Sequence, residues 1–334
     1  MKIWLPYVQV GTGSDVSTQF LANGLRDRGH DVIEQPFARH YEFAPWFLKR
    51  AAPPAGCDVI ITNTWNGFAF SRAGIPMITV DRLFVLDHTL EPYKSPVQRI
   101  YHHTLIRHFV RQSALKAHAV VAVSEYTADA LANALRVPRP QVILNAVDTD
   151  FFTPPTEPKR LHTPRRLLYV GTLSRRKGTD LLAPIMRSLG DDYTLCYTGN
   201  PTAPVLGGNL PANMHALGRL TLEQVREEYR KADALIFPSR GEGLARAVME
   251  AMACGTPVVA SDLSSMPEAV DTTVGALCPP DDIEAFCQAI RTLTRHESSW
   301  LQHSSQARER AVERFCLSRL LDQFEVLAGL LVAK

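Results

Sequence analysis

Short apolar runs separated by amphipathic stretches organise this chain. In the first half the runs are KIWLPYV, DVIIT, PMITV, AVVAVS and QVILN; after residue 165 the pattern restarts with RRLLYVG, YTLCYTG, NMHALG, ADALIFPS and PVVAS. Each is short and nearly continuous in apolar residues, as strands buried on both faces of a parallel sheet are. Helical spacing fills the intervals, for example residues 221–231 ahead of ADALIFPS. Alternating strands and helices, repeated twice, predict an α/β protein of two doubly wound domains. The proline- and charge-rich FFTPPTEPKRLHTPRR reads as the linker between them. ERFCLSRLLDQFEVLAGLLVAK reads as one helix, with Phe315, Leu320, Phe324 and Leu327 near a helical repeat. Periodicity leaves open whether it closes the second domain or packs back on the first.

In such folds ligands bind beyond the carboxyl ends of the strands, so the residues there carry the chemistry. VQVGTGSDVST places Gly11 and Gly13 after the first strand, where they serve either a tight turn or close approach of a substrate to the backbone. YVGTLSRRKGTDLL ends a strand at Gly171 and sets Arg175, Arg176 and Lys177 before a helix expected near Thr179. Helix starts favour acidic residues, so three cations there point to an anionic partner; a solvated basic loop is the alternative.

GEGLARAVMEAMACGTPVV reads as a loop at 241–244, a helix from about Ala245, Gly255 as its C′ residue and a strand from Pro257. Glu242 then precedes the helix, and Glu250 lies about two turns inside. Backbone N–H groups of Gly243, Leu244, Ala245 and Arg246 would meet a phosphate at the helix start. Each glutamate can accept two hydrogen bonds from a vicinal diol, one on a ribose and one on a sugar. Capping by Glu242 and a satisfied buried carboxylate at Glu250 are the competing structural roles.

Together these motifs resemble retaining glycosyltransferases of the GT-B fold, specifically glycosyltransferase family 4 (glycosyl transferases group 1). The resemblance rests on Gly171 to Gly178, on Glu242 and Glu250 as the Glu-x7-Glu signature, on AMACGTPVVAS and PE at 267–268, and on SEYT at 124–127 and NAVD at 145–148. It implies two Rossmann-like domains facing across a cleft: an acceptor domain, residues 1–155 with a returning helix at 315–334, and a donor domain, residues 156–314. It further implies a nucleotide-diphosphate sugar donor with a UDP, GDP, ADP or dTDP carrier, a hydroxyl acceptor on a glycan, lipid or small molecule, and retained anomeric configuration. Neither a metal nor a further cofactor is expected.

By the same resemblance Lys177 holds the diphosphate, Glu250 the ribose and Glu242 the sugar. Gly171, Thr172 and Arg176 line the donor, with the base near Gly199, Gly218 and Arg219. Three positions depart from the family pattern. Thr172 stands where many members have arginine, Ala245-Arg246-Ala247 replaces Gly-Leu-Pro, and Asp81-Arg82 replaces a histidine-aspartate pair. Arg246 becomes a candidate second cation. Asp81, at the equivalent strand end, is placed ahead of His88 as the group that takes over the histidine's contact. The missing histidine also supports a nucleotide-sugar-binding protein with altered catalysis, and an epimerase or hydrolase on the same scaffold is a further alternative.

Composition narrows the field. A length of 334 residues with 46% apolar content suits two cores, and a net charge of +2 argues against general nucleic-acid binding. Six cysteines without CxxC spacing predict reduced thiols. MKIWLPYV shows no signal-peptide core and no apolar run reaches the ~20 residues of a membrane span, so a cytoplasmic location is expected, with contact at the inner membrane face as an option. That option comes from residues 92–124, which hold Lys94, Arg99, Arg107, Arg111, Lys116 and four histidines but no acidic residue. A solvated helix face and an anionic acceptor are the alternatives. The triplet Asp148-Thr149-Asp150 matches the DxD of metal-dependent transferases, but lies in a turn ahead of the linker, and lysine with a helix start already offsets diphosphate charge.

Overall fold

The computed structural model describes residues 1–11 and 13–333 and divides into two compact units. One comprises Met1–Leu144 together with the chain from Leu317 onward; the other is Asn145–Cys316.

The first unit is a six-stranded parallel sheet of β1 (Lys2–Val8), β2 (Asp31–Phe37), β3 (Val59–Asn63), β4 (Met77–Asp81), β5 (Ala119–Ala122) and β6 (Gln141–Val142), in the order β2-β1-β3-β4-β5-β6. Its helices are α1 (Gly13–Asp27), α2 (Pro96–Tyr101), α3 (Arg107–Lys116) and α4 (Glu125–Leu135), with a π-helical turn at His102–Ile106 between α2 and α3. Pro6 sits inside a central strand, where a missing N–H would normally break the ladder. Here β1 pairs with β3 only through Ile3 and Trp4, so Pro6 lies beyond that ladder. Ser95 starts α2 with a capping box closed by Gln98.

The second unit repeats the plan with β7 (Arg165–Tyr169), β8 (Tyr193–Thr198), β9 (Met214–Gly218), β10 (Ala234–Phe237), β11 (Val258–Ser261) and β12 (Gly275–Cys278), in the order β12-β11-β10-β7-β8-β9. Around it lie α5 (Leu182–Leu189), α6 (Leu222–Lys231), α7 (Arg246–Ala253), α8 (Met266–Ala269), α9 (Ile283–Leu293) and α10 (Glu297–Phe315). Leu167, Tyr169, Leu195, Tyr197 and Ile236 from the strands pack with Leu182, Ile185, Met186, Phe286 and Ile290 from α5 and α9 as one core. The proline-rich segment 151–166 packs on this unit: Phe152 is buried 6.1 Å from the Tyr229 ring, and Lys159 Nζ donates to Gly255 O and Thr256 Oγ1.

Two strands escape the apolar-run criterion, β2 and β12. Both are sheet edges, and β2 in particular is only half-buried, so its sequence DVIEQPF alternates rather than running apolar. The C-terminal helix also differs from expectation. It is broken at Cys316, which is extended at φ −66° and ψ 149°. Phe315 closes the long α10, whose inward residues are Trp300, Ser304, Ala307, Ala311 and Phe315, and a new helix runs Leu317–Val332. The physical reason is a β-bridge: Val147 N donates to Phe315 O at 2.8 Å, pairing Val147 with Cys316 and taking that residue out of helical geometry.

Helix Leu317–Val332 belongs to the first unit and packs on α1 and β3. A Cβ on Gly24 of α1 would stand 2.8 Å from Leu321 Cδ1, so the small residue admits the helix. Arg28 reaches Asp322 at 2.5 Å and Glu325 at 2.7 Å, and His30 Nε2 reaches Glu325 Oε1 at 2.8 Å. The six cysteines are unbridged.

Candidate functional site

In the second unit the chain starts its sheet at β7, builds outward through β8 and β9, then returns to lay β10 on the opposite edge of β7. The reversal of strand order between β7 and β10 opens a crevice at their carboxyl ends, the usual ligand position in an open α/β sheet. The loops that follow these two strands hold most of the residues singled out above, and they are locked together. Gly178 adopts φ +66°, and a Cβ there would stand 1.8 Å from the Pro238 carbonyl oxygen, so only glycine fits. Arg240 N donates to Arg176 O at 2.8 Å.

Arg240, absent from the sequence-based candidates, is the cross-tie. Its side chain is 7% exposed, forks onto Asp180 (2.6 and 3.0 Å), meets Asp281 at 2.5 Å through Nε, and donates to the Arg175 carbonyl. A planar guanidinium suits this bidentate duty better than an ammonium. The cue in the sequence is its position just after the IFP strand end, next to Ser239.

At the crevice Lys177 Nζ donates to Glu242 Oε1 at 2.5 Å, and Ser239 Oγ donates to the same oxygen at 2.6 Å. Arg176 Nη1 donates to Gly241 O at 2.6 Å and stands 3.5 Å from Glu242 Oε1. Ser264 Oγ accepts from Glu242 N, and Ser265 Oγ donates to Glu242 O, fixing that residue's backbone. Lys177 and Glu242 are both largely buried. Burial pushes the Glu242 carboxyl up, but the neighbouring Lys177 and Arg176 charges outweigh it and hold it below the usual carboxylate range. Burial, aided by Arg176, pulls the Lys177 ammonium below its ordinary value despite Glu242.

Downstream, Ala245 is the N-cap of α7 and provides no side-chain capping bond. Gly255, at φ +66°, follows the Cys254 C-cap as expected. Glu250 is the fifth residue of α7, nearer its start than the two turns expected. Its Oε2 accepts from Tyr229 OH at 3.1 Å, and Arg246 Nη2 lies 3.2 Å from its Oε1, one helical turn earlier. Tyr229 is fully buried, and burial together with the Glu250 charge drives its hydroxyl pKa far above the ordinary value. Asn145 Nδ2 donates to Leu244 O at 3.3 Å, bringing the NAVD turn to the loop ahead of α7.

The other donor-side candidates lie on neighbouring strand ends. Gly171 N donates to Thr198 Oγ1 at 3.0 Å, tying the end of β7 to β8, while Thr172 O accepts from Tyr169 OH. Gly199 N donates to Gly218 O at 2.9 Å, joining those two glycines, and Arg219 beside them is exposed. In the DxD triplet, Asp148 Oδ1 accepts from Asp150 N and Phe151 N, an Asx turn that gives this carboxylate a structural task.

The first unit has its own reversal, between β1 and β3. Asp15 Oδ2, a buried acceptor that sequence reading missed, takes hydrogen bonds from Val10 N at 2.9 Å and Gly11 N at 2.6 Å, and Gly13 opens α1. Asp81 ends β4 fully buried, with Thr64 Oγ1 donating to its Oδ2 at 2.7 Å. Burial raises its pKa to about 6, the Thr64 hydroxyl and the Leu83 amide offsetting only part of the effect. His88 is 92% exposed, with Nδ1 3.3 Å from Asp87 Oδ1. Asp87 is the buried partner: it caps the turn His88–Tyr93 through Thr89 N and accepts from Tyr126 OH of the SEYT motif.

Two family models match this chain: "Glycosyltransferase Family 4" over residues 33–151 and "Glycosyl transferases group 1" over residues 164–296. Among curated relatives, the alpha-maltose-1-phosphate synthase of Mycolicibacterium smegmatis is 27% identical over 305 residues, covering 79% of this chain and 77% of the relative. Among solved structures, sucrose-phosphate synthase from Thermosynechococcus elongatus superposes with a TM-score of 0.84 at 18% identity, covering 99% of this chain and 100% of that one. HepE from Anabaena, solved with UDP-glucose, superposes with a TM-score of 0.76 at 18% identity over 98% of this chain and 100% of its own. The fold is therefore GT-B, and the protein is a glycosyltransferase. It belongs to glycosyltransferase family 4.

Proposed function

We propose that the second unit binds a nucleotide-diphosphate sugar at the β7/β10 reversal, and that the sugar passes with retained configuration, without a metal, to a hydroxyl acceptor held by the first unit. The observation that carries this reading is the convergence of Lys177, Arg176 and Glu242 from two interlocked loops, ahead of a helix start with no side-chain cap. Diphosphate draws Lys177 from Glu242, and the ammonium, Arg176 and the amides at the start of α7 stabilise the charge that develops as the diphosphate departs. These groups make a divalent ion unnecessary for charge compensation. Glu242, released from Lys177, accepts from sugar hydroxyls. Glu250 exchanges Arg246 for the ribose diol, which frees Arg246 as a second cation for the diphosphate.

The HepE structure, which holds UDP-glucose, makes UDP-sugars the first donors to try. A thermal-shift screen across UDP-, GDP-, ADP- and dTDP-sugars should give one carrier a distinct rise in Tm, since bound ligand stabilises in proportion to its affinity. Turnover with that donor should survive a chelator, and NMR of the first-formed product should show the donor's anomeric configuration. No shift with any of the four carriers, or an inverted product, would refute the proposal.

A further inference from the structure

We infer that the first unit carries a docking surface for an anionic lipid bilayer, formed by the segment Arg39–Arg50 region and by α2 to α3. The first element is aromatic. Phe43, Trp46 and Phe47 are 56%, 47% and 50% exposed on two short 3-10 turns, Arg39–Glu42 and Pro45–Arg50. The second is aliphatic: Val97 and Ile100 of α2 are 77% and 67% exposed, with Leu105 and Leu115 also exposed further along. Tyr101 joins them, its ring 5.5 Å from Phe43 and its hydroxyl donating to Glu42 O at 3.0 Å. Large apolar side chains so exposed and so grouped mark an interaction surface.

Charge selects the occupant. Residues 39–50 and 97–116 contain Arg39, Lys49, Arg50, Arg99, Arg107, Arg111 and Lys116 against the one acid Glu42. Glu91, the nearest acid in sequence to α2, is already engaged by Lys94 at 2.5 Å, His103 at 3.2 Å and Arg99 at 3.5 Å. Aromatic and aliphatic side chains that enter the headgroup boundary, set among arginines and lysines, are the makings of an interfacial membrane contact. A second copy of the chain is a poor occupant, because a two-fold contact would press this cationic surface against itself. No helix among the described residues is long and apolar enough to cross a membrane, so the contact is peripheral.

Trp46 supplies its own probe, because Trp4 and Trp300 are fully buried and Trp65 is half-buried. The full chain, without nucleotide, should be mixed with phosphatidylcholine vesicles and with vesicles containing phosphatidylglycerol. Expected are co-flotation with the anionic vesicles alone, a blue shift of tryptophan emission and quenching by brominated lipid. Raising salt from low to moderate should weaken binding by roughly tenfold or more. Trp46→Phe should keep flotation and lose the spectral change; Phe47→Ser with Ile100→Ser, and separately Arg107→Glu with Arg111→Glu, should each lower vesicle affinity by about tenfold or more at unchanged Tm. Absence of binding, salt-insensitive binding, or equal binding by wild type and both double variants overturns the inference. So does a patch variant that changes sedimentation mass without changing vesicle binding, since that outcome assigns the surface to self-association. None of these results bears on donor binding by the second unit.

Discussion

Lys177 Nζ and Glu242 Oε1 are 2.5 Å apart, although 65 residues separate them in the chain. The contact joins the loop after β7 to the loop after β10. It places a cation and a carboxylate in one crevice; under the proposed function, a ligand that carries both phosphate and hydroxyl groups competes for them.

Breaking this pair should separate stability from chemistry. Lys177→Met leaves Glu242 with Arg176 and Ser239 only, and removing one member of a buried pair costs up to about 3–5 kcal/mol, reduced here to about 1–3 by the partners that stay. Glu242 is held below its ordinary pKa in the folded state, so its contribution is present above about pH 4.5 and is lost as pH falls through the folded value. The variant should therefore lose stability mainly at neutral pH. Adding Glu242→Gln should recover much of the Tm while turnover stays down by roughly a hundredfold or more. Urea denaturation at pH 7 and pH 4, beside a turnover assay, checks both halves.

Gly178→Ala should be disproportionately harmful for one methyl group. The added Cβ meets a backbone carbonyl at 1.8 Å, which no side-chain rotation relieves, and φ +66° disfavours any L residue. A loss of about 2 kcal/mol or more is expected from strain and overpacking. The donor-induced Tm rise should vanish with it. A urea midpoint within error of wild type would contradict the tight approach of the two loops.

Arg240→Lys keeps the charge but cannot fork onto Asp180 while reaching Asp281. Because Arg240 touches the loops and not the proposed diphosphate position, the expected effect is a roughly tenfold weaker donor Kd with a smaller change in kcat. Calorimetric titration beside steady-state kinetics reads the split. An unchanged Kd would leave Arg240 a structural tie with no bearing on donor binding.

Asp81 yields a prediction about pH. Its folded-state pKa is raised to about 6 from the ordinary 3.8, so the native state binds the proton more tightly than the unfolded chain does. Its ionisation costs nothing below about pH 4, and the cost grows as pH rises to about 6, reaching on the order of 3 kcal/mol above it. Asp81→Asn should then raise Tm at pH 7.5 and match wild type near pH 4. If Asp81 also meets the acceptor, turnover falls while the donor-induced Tm rise persists; retained turnover removes it from the site. Thermal melts across pH with a donor titration distinguish the two roles.

Two parallel α/β sheets followed from alternating apolar runs, because strands buried on both faces are apolar throughout; the strand order, and with it the position of each reversal, came from the structure. Lys177, Glu242 and Glu250 stood out for a local reason: a basic turn and carboxylates beside an apolar helix contrast with what surrounds them, whereas Gly178 entered only through the family resemblance. Arg240, Asp15 and Asp87 were not legible. Arg240 and Asp87 work through partners far away in sequence, Asp281 and Tyr126, while Asp15 folds back on Val10 N and Gly11 N through a turn that residue type does not mark; nothing in the local sequence separates the three from solvated charges.

By itself, then, the sequence determined the two α/β units and the residues able to meet phosphate and diols, since burial periodicity and residue chemistry are written along the chain. Only the tertiary structure decided that Lys177 and Glu242 pair, that Cys316 breaks the last helix because Val147 bridges to it, that Phe43 meets Tyr101, and that Trp46 and Phe47 stay exposed while neighbouring Leu48 is buried. Such outcomes depend on which side chains long-range folding brings within bonding distance, and no local pattern encodes that.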